Sequence, residues 1–238
     1  MRKILEINLY INNVKIAKCG SIILEPYATS TARKFLFHNL KFKTTEDFLS
    51  LNKIQVRISC RSKYSNVKPI YEFNILLLDF DSKLKWVYGL VHHDYEEYRQ
   101  GVIDVLASWQ KGEKIDWFSL PTKGLLKEDY ITACLHYSGV STEIIDKDLY
   151  KIDMSLVREY RDVLYLMGEA FFGERGYMGH SFHTFVDCLR CIFHKGGFAE
   201  SKKIIFENTE RLVIEDDTLF FEDLKKELII HGISILKG

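Results

Sequence analysis

The sequence is short of the features that would name a chemistry outright. It has no Gly-rich phosphate loop, no GxSxG elbow and no HExxH pair, so the common nucleotide-binding, serine-hydrolase and zinc-protease signatures are missing. No apolar run is long enough to span a bilayer, and the opening MRKILEINLY lacks the apolar block and small-residue cleavage site of a signal peptide. A cytoplasmic protein is the expectation. Net charge is absent too: 33 Lys+Arg balance 33 Asp+Glu, so bulk electrostatics selects no partner. There is no internal repeat and no low-complexity tract. The five cysteines (Cys19, Cys60, Cys134, Cys188, Cys191) are an odd set without an export signal, which reads as reduced, mostly buried and inert thiols.

What is present is an ordinary folded composition. The 238 residues, 47% hydrophobic and 28% charged, suit one large domain or two modest ones. Charge is uneven along the chain. From Asp148 onward 16 Asp+Glu face 12 Lys+Arg, leaving the earlier part with the opposite excess. The acid is densest from Glu207 to Glu227 and includes Glu215, Asp216, Asp217, Glu222 and Asp223. Such a surface attracts a basic partner and repels nucleic acid.

The first part reads mainly as strands, at 4–10, 21–25, 53–60, 71–80 and 83–91, rich in β-branched and aromatic residues. A helix follows, capped by Asp94 with Glu97 three positions on, carrying Tyr95, Tyr98, Val102, Val105, Leu106 and Trp109 and ended by Gly112. A second helix is expected over 126–136. Strands followed by helices predict an α+β domain over 1–145. The polar stretch SGVSTEIIDKD at 138–148 marks the expected boundary. Residues 148–238 are the expected second domain. The predicted order there is a strand at 149–154, a helix over 155–170, the segment GYMGHSFHTFVDCLRCIF at 176–193, a strand at 203–207, a helix over 219–230 and a strand at 232–236. Strand, helix, helix, strand, helix, strand implies a small parallel β-sheet with packed helices, an α/β domain.

Taken as a helix, residues 180–194 sort into two faces at about 100° per residue. Phe182, Phe185, Val186, Leu189, Ile192 and Phe193 fall in an apolar arc, and His180, His183, Asp187, Cys191 and His194 fall on the opposite side. That ridge offers two or three metal ligands, and a metal-dependent hydrolase built on it is one alternative. Ligands strung over four turns cannot all reach one ion, however, because each turn rises about 5.4 Å. Cys188 and Cys191 are a weak redox signal, since redox pairs of this spacing sit at a helix start. In the first domain, His92-His93-Asp94 suggests acid–base chemistry, but a helix cap explains Asp94 better. Arg57, Arg61, Lys63 and Lys68 could grip a phosphate backbone or simply charge a strand edge.

The segment 177–189 and its neighbours resemble the barstar family of intracellular ribonuclease inhibitors. Tyr177, Met178 and Gly179 stand for that family's aromatic pair and glycine, and Ser181, Phe182, His183, Phe185, Asp187 and Leu189 follow in the register of its helix motif. IIFENTERL (204–212) and GISILKG (232–238) resemble its later strands, so the likeness covers about 148–238. The resemblance implies a loop and helix that enter a ribonuclease active site, with Asp187 pairing with the basic residues that grip substrate phosphate. It implies an immunity protein without catalysis, cofactor or metal, whose partner is a ribonuclease toxin rather than nucleic acid or membrane. Tyr177, Met178, Gly179, His180, Ser181, His183 and Asp187, with Glu222 and Asp223, are the expected contact residues. The pattern's first aspartate is His183 here, its tryptophan is Val186, and all three tryptophans (Trp86, Trp109, Trp117) fall in the first domain. A module that binds another protein through the first domain is the remaining alternative. The sequence does not give the oligomeric state.

Overall fold

The structure, a computed structural model, describes residues 3–25, 32–43, 52–81, 86–92, 98–121, 125–198, 202–211 and 219–236. The chain divides into two compact units, Met1–Lys114 and Ile115–Gly238.

In unit 1, β1 (Leu5–Ile11) and β2 (Val14–Cys19) form a hairpin whose turn residues Asn12 and Asn13 have φ of 48° and 63°. Two left-handed residues in a two-residue loop match the twist of the flanking strands, and asparagine tolerates that conformation. β3 (Ser21–Leu24), β4 (Ala32–His38), β5 (Lys41–Phe42), β6 (Lys53–Arg61), β7 (Val67–Asp81) and β8 (Trp86–His92) complete an eight-stranded antiparallel sheet ordered β3-β4-β8-β7-β6-β1-β2-β5. The clean alternation of β6 does what alternation predicts: Ile54, Val56, Ile58 and Cys60 are all buried.

Behind that buried face lies α1 (Gln100–Lys111), which contributes Val102, Ile103, Val105, Leu106 and Trp109 to the core. A glutamine near each end ties the helix to strand backbone. Gln100 accepts from Leu24 N–H and donates to Ile22 C=O, while Gln110 accepts from the N–H groups of Ile4 and Leu5. Gly112 ends the helix in the left-handed conformation, as the sequence predicts. Tyr98 differs from its expected helical position. It precedes the helix, because Arg99 at the cap is extended, and its buried ring packs on Phe35, Phe73 and Tyr71. Asp94, Tyr95, Glu97 and His93 lie outside the described residues, as do 83–85.

Unit 2 begins with a 3-10 turn at Trp117–Ser119 and α2 (Leu125–Ser138), then runs β9 (Leu149–Asp153), α3 (Tyr160–Phe172), α4 (Phe182–His194), β10 (Lys203–Glu207), α5 (Phe220–Ile230) and β11 (Ser234–Leu236). The three strands form a parallel sheet in the order β11-β10-β9, with Lys203 opposite both Leu149 and Ser234. The molecule is therefore mixed α/β, with a small parallel sheet in the second half, as expected, and a large antiparallel sheet in the first.

The boundary between the units lies about thirty residues before the expected one, at Lys114/Ile115. Two sets of contacts explain the shift. The 138–148 stretch is polar and largely exposed yet bonded to unit 2: Ile145 N–H donates to Phe171 C=O (2.7 Å), the Tyr150 hydroxyl donates to Ile145 C=O (2.6 Å), and Lys202 pairs with Asp146 (2.7 Å). Further upstream, Trp117 is buried and stacks on Tyr165 at 4.6 Å, so this tryptophan belongs to unit 2 rather than to the first domain.

The anchor beneath these contacts is Asp162 at the start of α3, which is 0% exposed. One of its oxygens accepts from Trp117 Nε1 (2.8 Å) and Lys127 Nζ (2.6 Å), and the other accepts from the N–H groups of Arg158 (2.8 Å) and Glu159 (3.1 Å). Four donors saturate a buried carboxylate that would otherwise be costly. Lys127, also buried, lies 3.2 Å from Glu159 as well, and Arg161 closes the network on Glu159 at 3.1 Å. The same carboxylate fixes where α3 starts, at Tyr160 rather than Ser155.

Candidate interaction surface on helices α4 and α5

α4 is held from three directions. Its first turn is capped reciprocally: Ser181 Oγ accepts from Thr184 N–H (3.3 Å), and Thr184 Oγ1 accepts from Ser181 N–H (2.9 Å). Its apolar side is buried at Phe185, Val186, Cys188, Leu189 and Ile192. Alongside runs α5, with Phe182 against Phe220 near one end (5.8 Å) and Phe193 against His231 near the other (5.7 Å). Phe193 departs from the expected apolar arc: it is 48% exposed, its ring resting edge-on against His231 at the end of the helix.

The opposite side of α4 is the predicted ridge. His180, His183, Asp187, Cys191 and His194 are all exposed. Asp187 shows 68% of its side chain to solvent, and Arg190, one turn on and 59% exposed, lies 3.4 Å from it. The signal for this pair lies in the sequence, since an acid and a base three positions apart on a helix are neighbours. The acids of α5 are partnered in the same way, Glu222 by Lys225 and Asp223 by Lys226. Glu215, Asp216 and Asp217 lie outside the described residues. The described surface is thus a row of locally compensated charges with histidines between them, less acidic than composition suggested.

The loop before α4 is a different matter. Tyr177 and Met178 are only 4% and 1% exposed, and Gly179 is buried as well, so these three do not form part of an open contact surface. Backbone geometry is the reason. Gly168 of α3 and Gly176 approach so closely that a Cβ on Gly176 would sit 2.1 Å from Gly168 O, which draws the loop down onto α3. Gly179, at φ 99°, then lies on the first turn of α4, where a Cβ would meet Phe185 N at 2.6 Å. Burial pushes the Tyr177 phenol up to about 12, and its hydroxyl lies 3.1 Å from His180 Nδ1. The aromatic residue therefore supports the ridge from below. Ser181, half-buried, spends its hydroxyl on the cap.

Of the nine expected contact residues, His180, His183, Asp187 and Glu222 are exposed, Ser181 and Asp223 are half-exposed, and three are core. Among the described residues, no group of three or more His, Cys, Asp or Glu side chains is placed to hold a metal ion. Cys188 is buried and its thiol is pushed up to about 12, chiefly by burial, which is opposite to the lowered value a redox pair needs. Four of the five cysteines are buried and Cys191 is exposed, all as free thiols. No helix among the described residues is long and apolar enough to cross a membrane. No family model matches the chain, nor does any curated protein or solved structure.

Proposed function

We propose that the protein binds another protein through the exposed ridge of α4 with the adjoining surface of α5, and that the partner is a ribonuclease toxin whose active site this ridge covers. The carrying observation is Asp187: an outward carboxylate on a helix that is capped at its start and buried along its opposite side. Such a group keeps its position without a partner, so little ordering is needed when one docks. Its pairing with Arg190 does not prevent this. An exposed ion pair of that kind contributes little, and a guanidinium or lysine of the partner can take the carboxylate from it.

The order strand, helix, helix, strand, helix, strand around three parallel strands supports the barstar-like reading, as does the register of Ser181 through Leu189. The contact set is narrower than that resemblance implies. It centres on His180, His183 and Asp187, with Glu222 and Asp223 at its side, while Tyr177, Met178 and Gly179 hold the ridge in place. No step of catalysis and no cofactor enters this mechanism; the partner is blocked by occupation of its anion site. The test is inhibition of a barnase-type ribonuclease on an RNA substrate. Wild type should inhibit, and Asp187→Ala should inhibit at least tenfold less, the ~1.5 kcal/mol or more expected on removing a charge-assisted hydrogen bond. Inhibition unchanged by Asp187→Ala would remove the anchor role.

A further inference from the structure

On strands β2 and β5, the outer face of the unit 1 sheet, away from α1, gathers lysines close together. Lys18 on β2 stands directly opposite Lys41 on β5, and Lys15 stands opposite Tyr10 on β1. Lys43 follows β5, its N–H bonded to Ile16 C=O. Burial first, then the charges of Lys18, Lys43 and Lys3, hold the Lys15 ammonium below the ordinary lysine range, with Glu6 opposing them. Among the described residues no carboxylate pairs with Lys3, Lys15, Lys18, Lys41 or Lys43; of the acids on this face, Glu6 and Glu72 lie nearest these strands and already have partners, while Glu25, Asp79 and Asp81 lie on its far part, toward β3, β7 and β8. Glu72 takes Arg57 through two bonds of 2.8 and 3.0 Å, and Glu6 takes Arg61 at 3.4 Å.

Like charges directly opposite one another weaken a sheet, and a face needing only solubility mixes signs. Lysines on an edge strand guard against pairing with another chain, which accounts for Lys41 on β5 and Lys43 just beyond it. That reason does not extend to Lys18, which lies between β1 and β5 with Asn8 on one side and Lys41 on the other; Lys15 lies beyond the two residues of β2 that β5 pairs. Within the same face, the Arg57 guanidinium lies over the Tyr10 ring at 4.7 Å and is fixed by two hydrogen bonds to Glu72. A ring and a guanidinium plane fixed together form a surface on which a base stacks. The unit boundary sharpens the charge contrast. Met1–Lys114 holds 18 Lys+Arg against 12 Asp+Glu, a balance of +6, and the rest of the neutral chain holds −6.

We propose that the β5-β2-β1-β6 face of unit 1 binds single-stranded nucleic acid, its lysines neutralising successive phosphates while the Tyr10–Arg57 pair receives a base. This departs from the expectation that nucleic acid is no partner, which followed from the acid of the other unit. It stands independently of the role given to α4.

The test uses the full chain and fluorescently labelled oligo(U), read by anisotropy over a salt series. Binding should weaken steeply with salt. The double variant Lys18→Gln/Lys41→Gln should lower the slope of log affinity against log salt by about 0.7 for each lysine removed. That variant relieves a repulsion, so its melting point should hold or rise, which separates loss of binding from loss of fold. Tyr10→Leu should weaken binding about tenfold, and Lys111→Gln on α1 should leave it unchanged. Absence of salt-dependent oligo(U) binding, or an unaltered slope in the double variant, would overturn the proposal. Polyglutamate competing as well as unlabelled oligo(U) would also overturn it, assigning the face to an acidic protein instead.

Discussion

Two aspartates of unit 2 carry opposite duties, and their sequence neighbourhoods barely distinguish them. Asp187 was legible because helical periodicity places it opposite Phe185, Leu189 and Ile192. Asp162 was not, because its donors Trp117 and Lys127 lie 45 and 35 residues away and only the fold brings them together. Removing one member of a buried, paired set leaves the other charge stranded. Asp162→Ala should therefore cost about 3–5 kcal/mol in urea unfolding, whereas Asp187→Ala should leave the midpoint where it is. A second residue sets a pH response. Burial holds the His136 imidazole below the ordinary histidine range. The folded state then takes up its proton later than the unfolded state does. The stability this histidine contributes is complete above the ordinary histidine value and is lost as pH falls from there through the lowered one. Stability measured by urea should decline between neutral and mildly acidic pH, and His136→Gln should flatten that part of the curve.

At the level of elements, β1, β3, β6, β7, β8 and the four later helices were legible from pattern, and the misses, β2, β4 and β5, have physical causes. β2 is broken up by two lysines, β5 is only two residues long and β4 has no β-branched residue, so composition hides them; the Asn12-Asn13 pair was the one local signal for the first hairpin. The cap of α4 was readable as serine followed three positions on by threonine, a variant of the usual serine–glutamate box. The burial of 176–179 was not readable, because it depends on the contact between Gly168 and Gly176, and a glycine in sequence does not say which backbone approaches it. That contact offers a direct check. Gly176→Ala places a methyl group against backbone that cannot yield cheaply, so the melting point should fall, by an amount corresponding to about 2 kcal/mol or more. Ser181→Ala should cost about 1 kcal/mol through loss of the cap. Neither substitution touches the exposed ridge, so any loss of inhibition should follow the unfolded fraction and vanish at temperatures where both variants are folded.

For the whole molecule, composition pointed to the wrong seam. A polar stretch at 138–148 looks like a linker, yet its backbone and side chains are bonded into unit 2, and Trp117 reaches the same core from further upstream. A fragment spanning 115–238 should fold cooperatively by circular dichroism and urea titration, whereas 148–238 lacks Trp117 and Lys127 and should not. Folding of the shorter fragment alone would contradict the network assigned to Asp162. The proposed function rests on a different point, that a rigid, outward carboxylate on α4 is what a ribonuclease grips. Its most direct test is the inhibition constant of the 115–238 fragment against a barnase-type ribonuclease, measured beside Asp187→Ala and Asp187→Asn with all three shown to be folded. The account predicts inhibition by the fragment without unit 1 and a loss of at least tenfold in both variants; equal inhibition by all three, or none by the folded fragment, would contradict it.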